Sequence, residues 1–61
     1  MVSDPDIGQV IVELVRNGPY LKCSAIHVAT GLEASAVGPA AEPRALERIA
    51  VAKLKRALAA R

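Results

Sequence analysis

A single cysteine and a single histidine limit how a chain of 61 residues can be stabilised. A domain of this size buries only about 60% of the surface that its unfolded chain exposes, so small domains often add disulfides, a metal site or a partner chain. Cys23 has no second cysteine to pair with, and Cys23 and His27 alone are too few ligands for a structural metal. Self-association remains, and we therefore expect a homodimer without a metal or other cofactor.

The N-terminal residues do not have the pattern of a targeting segment. Residues 1–6 are acidic and lack a cationic region followed by an apolar core. Apolar runs such as Ile49–Ala52 are far shorter than the roughly 18 residues that a membrane span needs. An unpaired cysteine is also typical of a reducing compartment. We expect a cytoplasmic protein that does not associate with a membrane.

Positive charge is concentrated in the last third of the chain. Residues 42–61 contain six Lys or Arg and two Glu, a net of +4, whereas residues 1–41 contain two basic and four acidic residues, a net of −2. A basic segment of this kind favours an anionic partner, although an ordinary solvated helix face has the same composition.

The segment from Pro5 to Asn17 has the apolar spacing of an amphipathic helix. Asp4 is a suitable N-cap, and Pro5 suits the first helical position. Gly18 and Pro19 would end the helix. Apolar residues recur at i, i+3, i+4, i+7 and i+8, namely Ile7, Val10, Ile11, Leu14 and Val15.

Three further helical segments are predicted. One runs from about residue 22 to 30 and ends at Gly31, and its β-branched residues give it only moderate helix propensity. A short or irregular helix over residues 35–41 conflicts with Gly38-Pro39, because residues before proline avoid the α region. The last helix runs from Pro43 to about Ala60. Together these segments predict one all-α domain over residues 1–61, with three or four helices.

The last helix has an apolar arc of roughly 200° on a helical wheel of 100° per residue. This arc is wider than packing on one neighbouring helix requires. Val51, Leu54 and Leu58 lie towards one edge of it. We expect these three residues to form the dimer interface.

The stretch Leu21–Val37, LKCSAIHVATGLEASAV, resembles the helix-turn-helix of winged-helix and related small bacterial or phage transcriptional regulators. Gly31 occupies the turn position, Leu32 follows it, and Val37 lies six residues after the glycine. The resemblance covers residues 7–37 and implies a DNA-binding regulator. The chain departs from the family in three ways: His27 lies four residues before the turn glycine, where the family prefers a small residue, no strand pair follows to form a wing, and residues 35–42 contain no Arg, Lys, Asn or Gln to read base edges.

Under this resemblance, contacts with phosphates would supply most of the affinity for duplex DNA. Lys22 and Ser35 would lie at the starts of the second and third helices. Arg44, Arg48 and Lys55 fall within about 40° of one another on the last helix and would face one DNA backbone together. Each cation has the alternative role of an ordinary solvated residue, and Ser35 that of a helix cap.

Other functions fit parts of the sequence. A protein-interaction module, inhibitor or adaptor would explain the missing base-reading side chains. Cys23 and His27 are spaced for a thiolate–imidazole pair, but no orienting group or oxyanion site accompanies them, so we expect no enzymatic activity. The last helix lacks the Trp and Phe anchors of membrane-surface helices.

Overall fold

The computed structural model describes residues 2–61, which form an antiparallel four-stranded sheet followed by one helix. The strands follow the order β1-β2-β3-β4, so each strand pairs with its neighbour in the sequence. The elements are β1 (Val2–Asp4), β2 (Gly8–Asn17), β3 (Tyr20–His27), β4 (Glu33–Pro39) and α1 (Pro43–Ala59).

The hairpin of β2 and β3 is the longest pairing in the sheet. It closes at Asn17 and Tyr20 through a two-residue turn, Gly18-Pro19. Gly18 has a φ of 62°, which a glycine adopts without strain and which a two-residue hairpin turn needs. The β-branched run Val10–Val12 favours the extended backbone on one side of this turn.

Alternation along the strands gives the sheet two different faces. Leu21, Cys23, Ala25 and His27 of β3 are all buried, and they define the helix face, which α1 covers. The intervening residues of β3 and their register partners on β2 and β4 define the open face. Two layers of this kind bury one face of the sheet and leave the other to solvent.

Helix α1 packs mainly on β3 and β4 and approaches them closely, because the residues between the layers are small. A Cβ added to Gly38 would lie 2.7 Å from Leu46 Cδ2, so any larger residue there would displace the Leu46 side chain where the helix begins to cross β4. The buried core consists of Val10, Leu21, Cys23, Ala25, Ala36, Leu46, Ala50 and Leu54.

His27 joins the two loops at one end of the sheet. Its Nε2 donates to the backbone oxygen of Ile7 at 2.7 Å, because a carbonyl oxygen only accepts hydrogen bonds. Its Nδ1 then accepts from the hydroxyl of Thr30 at 2.8 Å. The Thr30 hydroxyl also accepts from the backbone N–H of Leu32 at 3.2 Å. His27 is therefore a structural residue with both ring nitrogens bonded.

The prediction of an all-α fold is wrong. The segments predicted as helices over residues 5–17, 22–30 and 35–41 form β2, β3 and β4 instead. A strand with apolar residues on both faces also contains apolar residues spaced three and four apart, as in an amphipathic helix. The spacing of apolar residues alone therefore led to the wrong prediction for β2. Only the last predicted helix, residues 43–60, coincides with a helix of the structure.

The helix-turn-helix is likewise absent from residues 2–61. Gly31, expected between two helices, lies in the loop that joins antiparallel strands β3 and β4 and has a φ of 75°. The expected recognition segment, residues 35–42, is mostly edge strand. The physical reason is that Leu21, Cys23, Ala25 and His27, at every second position of β3, are all buried, which is the period of a strand and not of a helix, although Ser24 on the other face is buried as well.

Candidate interaction surfaces

The residues predicted to contact DNA do not lie on one surface. Lys22 and Ser35 belong to β3 and β4 and lie on the open face of the sheet. Arg44 and Arg48 are exposed on α1, which covers the opposite face. The sheet therefore separates the first two residues from the helical cations.

Lys55, the third helical cation of that set, is engaged within the protein. Its Nζ lies 3.0 Å from Asp4 Oδ2 and 3.2 Å from Asp6 Oδ2. The hydrogen bond from Lys55 is the largest of the effects that lower the pKa of Asp4, and the hydrogen bond to Asp4 is the largest of those that raise the pKa of Lys55. Lys55 thus ties α1 to β1 and the turn after it, with its charge balanced by two carboxylates.

This ion pair predicts a pH dependence of stability. The pKa of Asp4 in the folded protein lies below its ordinary value of 3.8, so the stabilisation is fully present above that pH and is lost as the pH falls through the lower folded value. In urea titrations, Lys55→Gln should be less stable than the wild type at neutral pH. The difference should shrink below about pH 3.8.

Lys53→Gln is the matched control, because Lys53 donates to the backbone oxygen of Ser35 and not to a carboxylate. Its difference from the wild type should stay constant in the same acid range. An equal narrowing for both variants would contradict the role given to Asp4.

The predicted dimer interface on α1 does not form a free surface. Leu54 is 0% exposed and packs against the sheet of its own chain, which corrects its expected role. Val51 and Leu58 are half-buried and pack against the same core. The wide apolar arc of α1 is therefore occupied mainly by the sheet beneath it.

Cys23 and His27 do not form a nucleophilic pair. Both point to the helix face of β3, but four residues along a strand span roughly 13 Å. Cys23 is fully buried, and that burial, with a smaller effect from the Glu47 carboxylate, raises the pKa of its thiol. A thiol in this setting is a packing residue.

The open face of the sheet carries large apolar side chains without a cover. Val15, Tyr20 and Val37 are 61%, 60% and 65% exposed. Ile11 and Ile26 form a cross-strand pair on the same face. Sequence reasoning missed this surface, because it exists only once three strands are aligned in register.

The centre of the open face has two short side chains, those of Ser24 and Ser35. Glu13, Ser24 and Ser35 stand opposite one another and form a row across the three long strands. On one side of this row Ile11 pairs with Ile26, which pairs with Glu33, and on the other side Lys22 lies between Val15 and Val37. The short side chains of Ser24, which is buried, and Ser35 therefore separate two lines of larger side chains, each with two aliphatic residues and one charged residue.

A mixed groove lies between β1 and α1 on the other side of the sheet. Its volume is about 360 Å³, and its lining combines two valines with acidic and basic side chains: Val2, Ser3, Asp4, Glu47, Arg48, Val51 and Lys55. Nowhere in residues 2–61 do three His, Cys, Asp or Glu side chains cluster so as to hold a metal ion. α1 is too short and too polar to cross a membrane.

Comparison with known proteins gives a family without an assigned activity. Neither a curated protein nor a solved structure matches the chain. A family model described as a domain of unknown function, DUF6898, matches residues 7–61, which contain β2, β3, β4 and α1. The match covers nearly the whole chain, and the protein therefore belongs to the DUF6898 family.

Proposed function

We propose that this domain is a non-catalytic, cytoplasmic protein-interaction module that binds an amphipathic helix of a partner protein on its open face. The observation that carries the proposal is the exposure of Val15, Tyr20 and Val37, each at least 60% exposed, on one face of the sheet. Several large apolar side chains exposed on one face of a domain are typical of a binding site. The lone buried Cys23 supports the reducing compartment.

The shape of the open face favours a helix as the occupant. Sheets and helices form layers by burying one apolar stripe of the helix on one face of the sheet, as α1 does on the helix face. The short side chains of Ser24 and Ser35 leave room for one row of helical side chains between the larger residues on either side, Ile11 and Ile26 on one and Val15 and Val37 on the other. Glu13 and Glu33 against Lys22 give this face a net negative charge, which favours a helix with basic flanks.

DNA binding remains a prediction that the arrangement of charges supports less well. Arg44 and Arg48 are one turn apart and exposed, and they offer two phosphate contacts on α1. Lys55 is paired with carboxylates, and Lys22 lies across the sheet. Two adjacent cations give a weak footprint for duplex DNA, so the apolar open face is the better-supported surface.

Nuclear magnetic resonance titration tests the proposal. A synthetic amphipathic helix of leucine and lysine is added to isotope-labelled protein, and a scrambled peptide of the same composition is the control. We expect amide shifts at Ile11, Ser24 and Val37, and none along α1. Val37→Asp should weaken binding about 10-fold, since burying a valine contributes at least about 1.5 kcal/mol. Ile49→Asp, on a half-exposed residue of α1, should have no effect.

Three results would overturn this proposal. Equal shifts with the scrambled peptide would mean that the face does not select an amphipathic helix. Shifts confined to α1 would place binding elsewhere. Salt-sensitive shifts at Arg44 and Arg48 with duplex DNA, together with none on the open face with the peptide, would favour the nucleic-acid function.

A further inference from the structure

The two long edges of the sheet differ in how their backbone groups are satisfied. At the β4 edge, Lys53 Nζ donates to the backbone oxygen of Ser35 at 2.9 Å, which covers part of that edge with a charged side chain. Natural sheets often use lysine in this way to prevent pairing with another chain. At the other side, Val2–Asp4 of β1 pair with residues 8–10 of β2. Residues 11–17 of β2 therefore form an open edge within the described part of the chain.

The hydrogen-bonding direction along β2 follows from one contact. The backbone oxygen of Gln9 accepts from the N–H of Val28, so Gln9 points towards the β3 side. Backbone groups alternate in direction along an antiparallel strand. Val12, Leu14 and Arg16 therefore direct their N–H and C=O groups outwards, away from β3.

The side chains along this edge are also uncovered. Leu14 lies on the helix face, opposite Cys23, but it is 50% exposed because α1 packs on β3 and β4 and not over this part of β2. Val15, on the opposite face, is 61% exposed. The edge of β2 thus offers three features to a partner: unpaired backbone groups, an apolar side chain on the helix face and an apolar side chain on the open face. A partner strand with the same pattern would pair with the backbone groups and cover both side chains.

We propose that a second copy of this chain pairs with this edge, β2 against β2 in antiparallel orientation, with the two-fold axis at Leu14. Leu14 then stands opposite Leu14 of the partner, and Val12 opposite Arg16. All three outward-facing residues of each copy find hydrogen-bond partners in this register. The two sheets join into one, and the two Leu14 side chains cover each other beside the helices.

Neighbouring registers are less favourable for definite reasons. A shift of the axis to Glu13 places two carboxylates directly opposite each other, which destabilises a strand pair. The same shift brings Arg16 opposite Val10, whose outer edge is already occupied by Val2. A shift of the axis to Val15 leaves Val12 without a partner. The register centred on Leu14 sets no like charges opposite each other and gives Val12, Leu14 and Arg16 each a partner, and only the turn residue Gly18 comes opposite Val10, where β1 is paired.

This edge shares Val15 with the open face, but the inference rests on the unpaired backbone of β2 and on Leu14 of the helix face, so it does not depend on the proposed helix binding. Pairing at the β2 edge keeps both open faces on the same side of the joined sheet. The dimer also meets the expectation that so small a domain gains buried area by self-association.

Sedimentation equilibrium of the full chain at micromolar concentration is the first test. We expect a dimer, and Leu14→Lys should raise its dissociation constant about 100-fold, because both copies lose a buried leucine and gain a charge at the edge. Ile49→Lys on α1 is the matched control and should dimerise as the wild type does. A wild-type chain that stays monomeric throughout the micromolar range would overturn the proposal.

A cross-linking experiment tests the register. In the proposed pairing Glu13 lies opposite Val15 of the partner, with Cα atoms roughly 4.5 Å apart, which suits a disulfide. Under mild oxidation, a mixture of Glu13→Cys and Val15→Cys chains should form mixed dimers, whereas Glu13→Cys alone should not. Buried Cys23 stays unchanged. A dimer in which Leu14→Lys has no effect, or in which the mixture does not cross-link, would show that the chain associates through another surface.

Discussion

Leu54→Ala is expected to lower the free energy of unfolding by about 3–4 kcal/mol. Leu54 is 0% exposed and is the largest of the fully buried side chains. Truncation removes the contact between the C-terminal half of α1 and the sheet and leaves a cavity that rigid strands do not readily fill. A domain of this length has a total stability of roughly 3–9 kcal/mol, so the variant should be largely or partly unfolded at room temperature.

Urea denaturation followed by circular dichroism measures this effect, and Ile49→Ala is its control. Ile49 belongs to the same helix but is 49% exposed, so its truncation should cost less than about 1 kcal/mol. Similar losses for the two variants would mean that α1 does not pack on the sheet through Leu54.

Ala50→Leu is also expected to destabilise the domain, by about 1–3 kcal/mol, but by overfilling the core and not by leaving a cavity in it. Ala50 is 0% exposed, and the buried residues of the sheet include Cys23, Ala25 and Ala36, all of them small. The helix lies close to the strands because of these residues. Three additional carbon atoms at Ala50 would force α1 away from the sheet or its neighbours out of their preferred rotamers.

Ala52→Leu provides the matched control, because Ala52 is exposed on the same helix. In thermal unfolding, the midpoint temperature of Ala50→Leu should be clearly lower than that of the wild type. The midpoint temperature of Ala52→Leu should be almost the same as that of the wild type. Equal midpoint temperatures for the wild type and Ala50→Leu would indicate that a gap between helix and sheet accommodates the larger side chain. Such a gap would contradict the tight packing that the close approach of Leu46 to Gly38 indicates.

The helix was predictable from the sequence because its signals are local. Pro43 suits the first turn, and the following residues contain neither glycine nor proline up to the end of α1. Leu46, Ala50 and Leu54 recur every four residues and are the helical residues that the sheet buries. A pattern of this length does not depend on where the sheet lies.

The strands were mispredicted because β2 has apolar residues on both faces. Val10 and Leu14 point to the helix face, whereas Ile11 and Val15 point to the open face, and together they reproduce helical spacing. The β-branched residues of this segment, and the possibility that Gly18-Pro19 closes a hairpin, were the signals against a helix. In β3 the alternation was weak, because its buried residues include an alanine and a histidine.

The surfaces were harder to predict than the elements, since they depend on contacts that are distant in sequence. Lys55 meets Asp4 and Asp6 across nearly the whole chain, and a helical wheel placed it instead with Arg44 and Arg48. The open face can be predicted only when the register of β2, β3 and β4 is known. The exposed edge of β2 can be predicted only when the residues of β2 that β1 pairs with are known.

The meander topology has a consequence for the order in which the molecule acquires its structure. Each strand pairs with its sequence neighbour, so the hairpins form from local contacts and need no long loop closure. Isolated hairpins are only marginally stable in water, however, and three of the eight core residues belong to α1. During synthesis we therefore expect the sheet to become persistent only after α1, the last element of the fold, has emerged and covered the helix face.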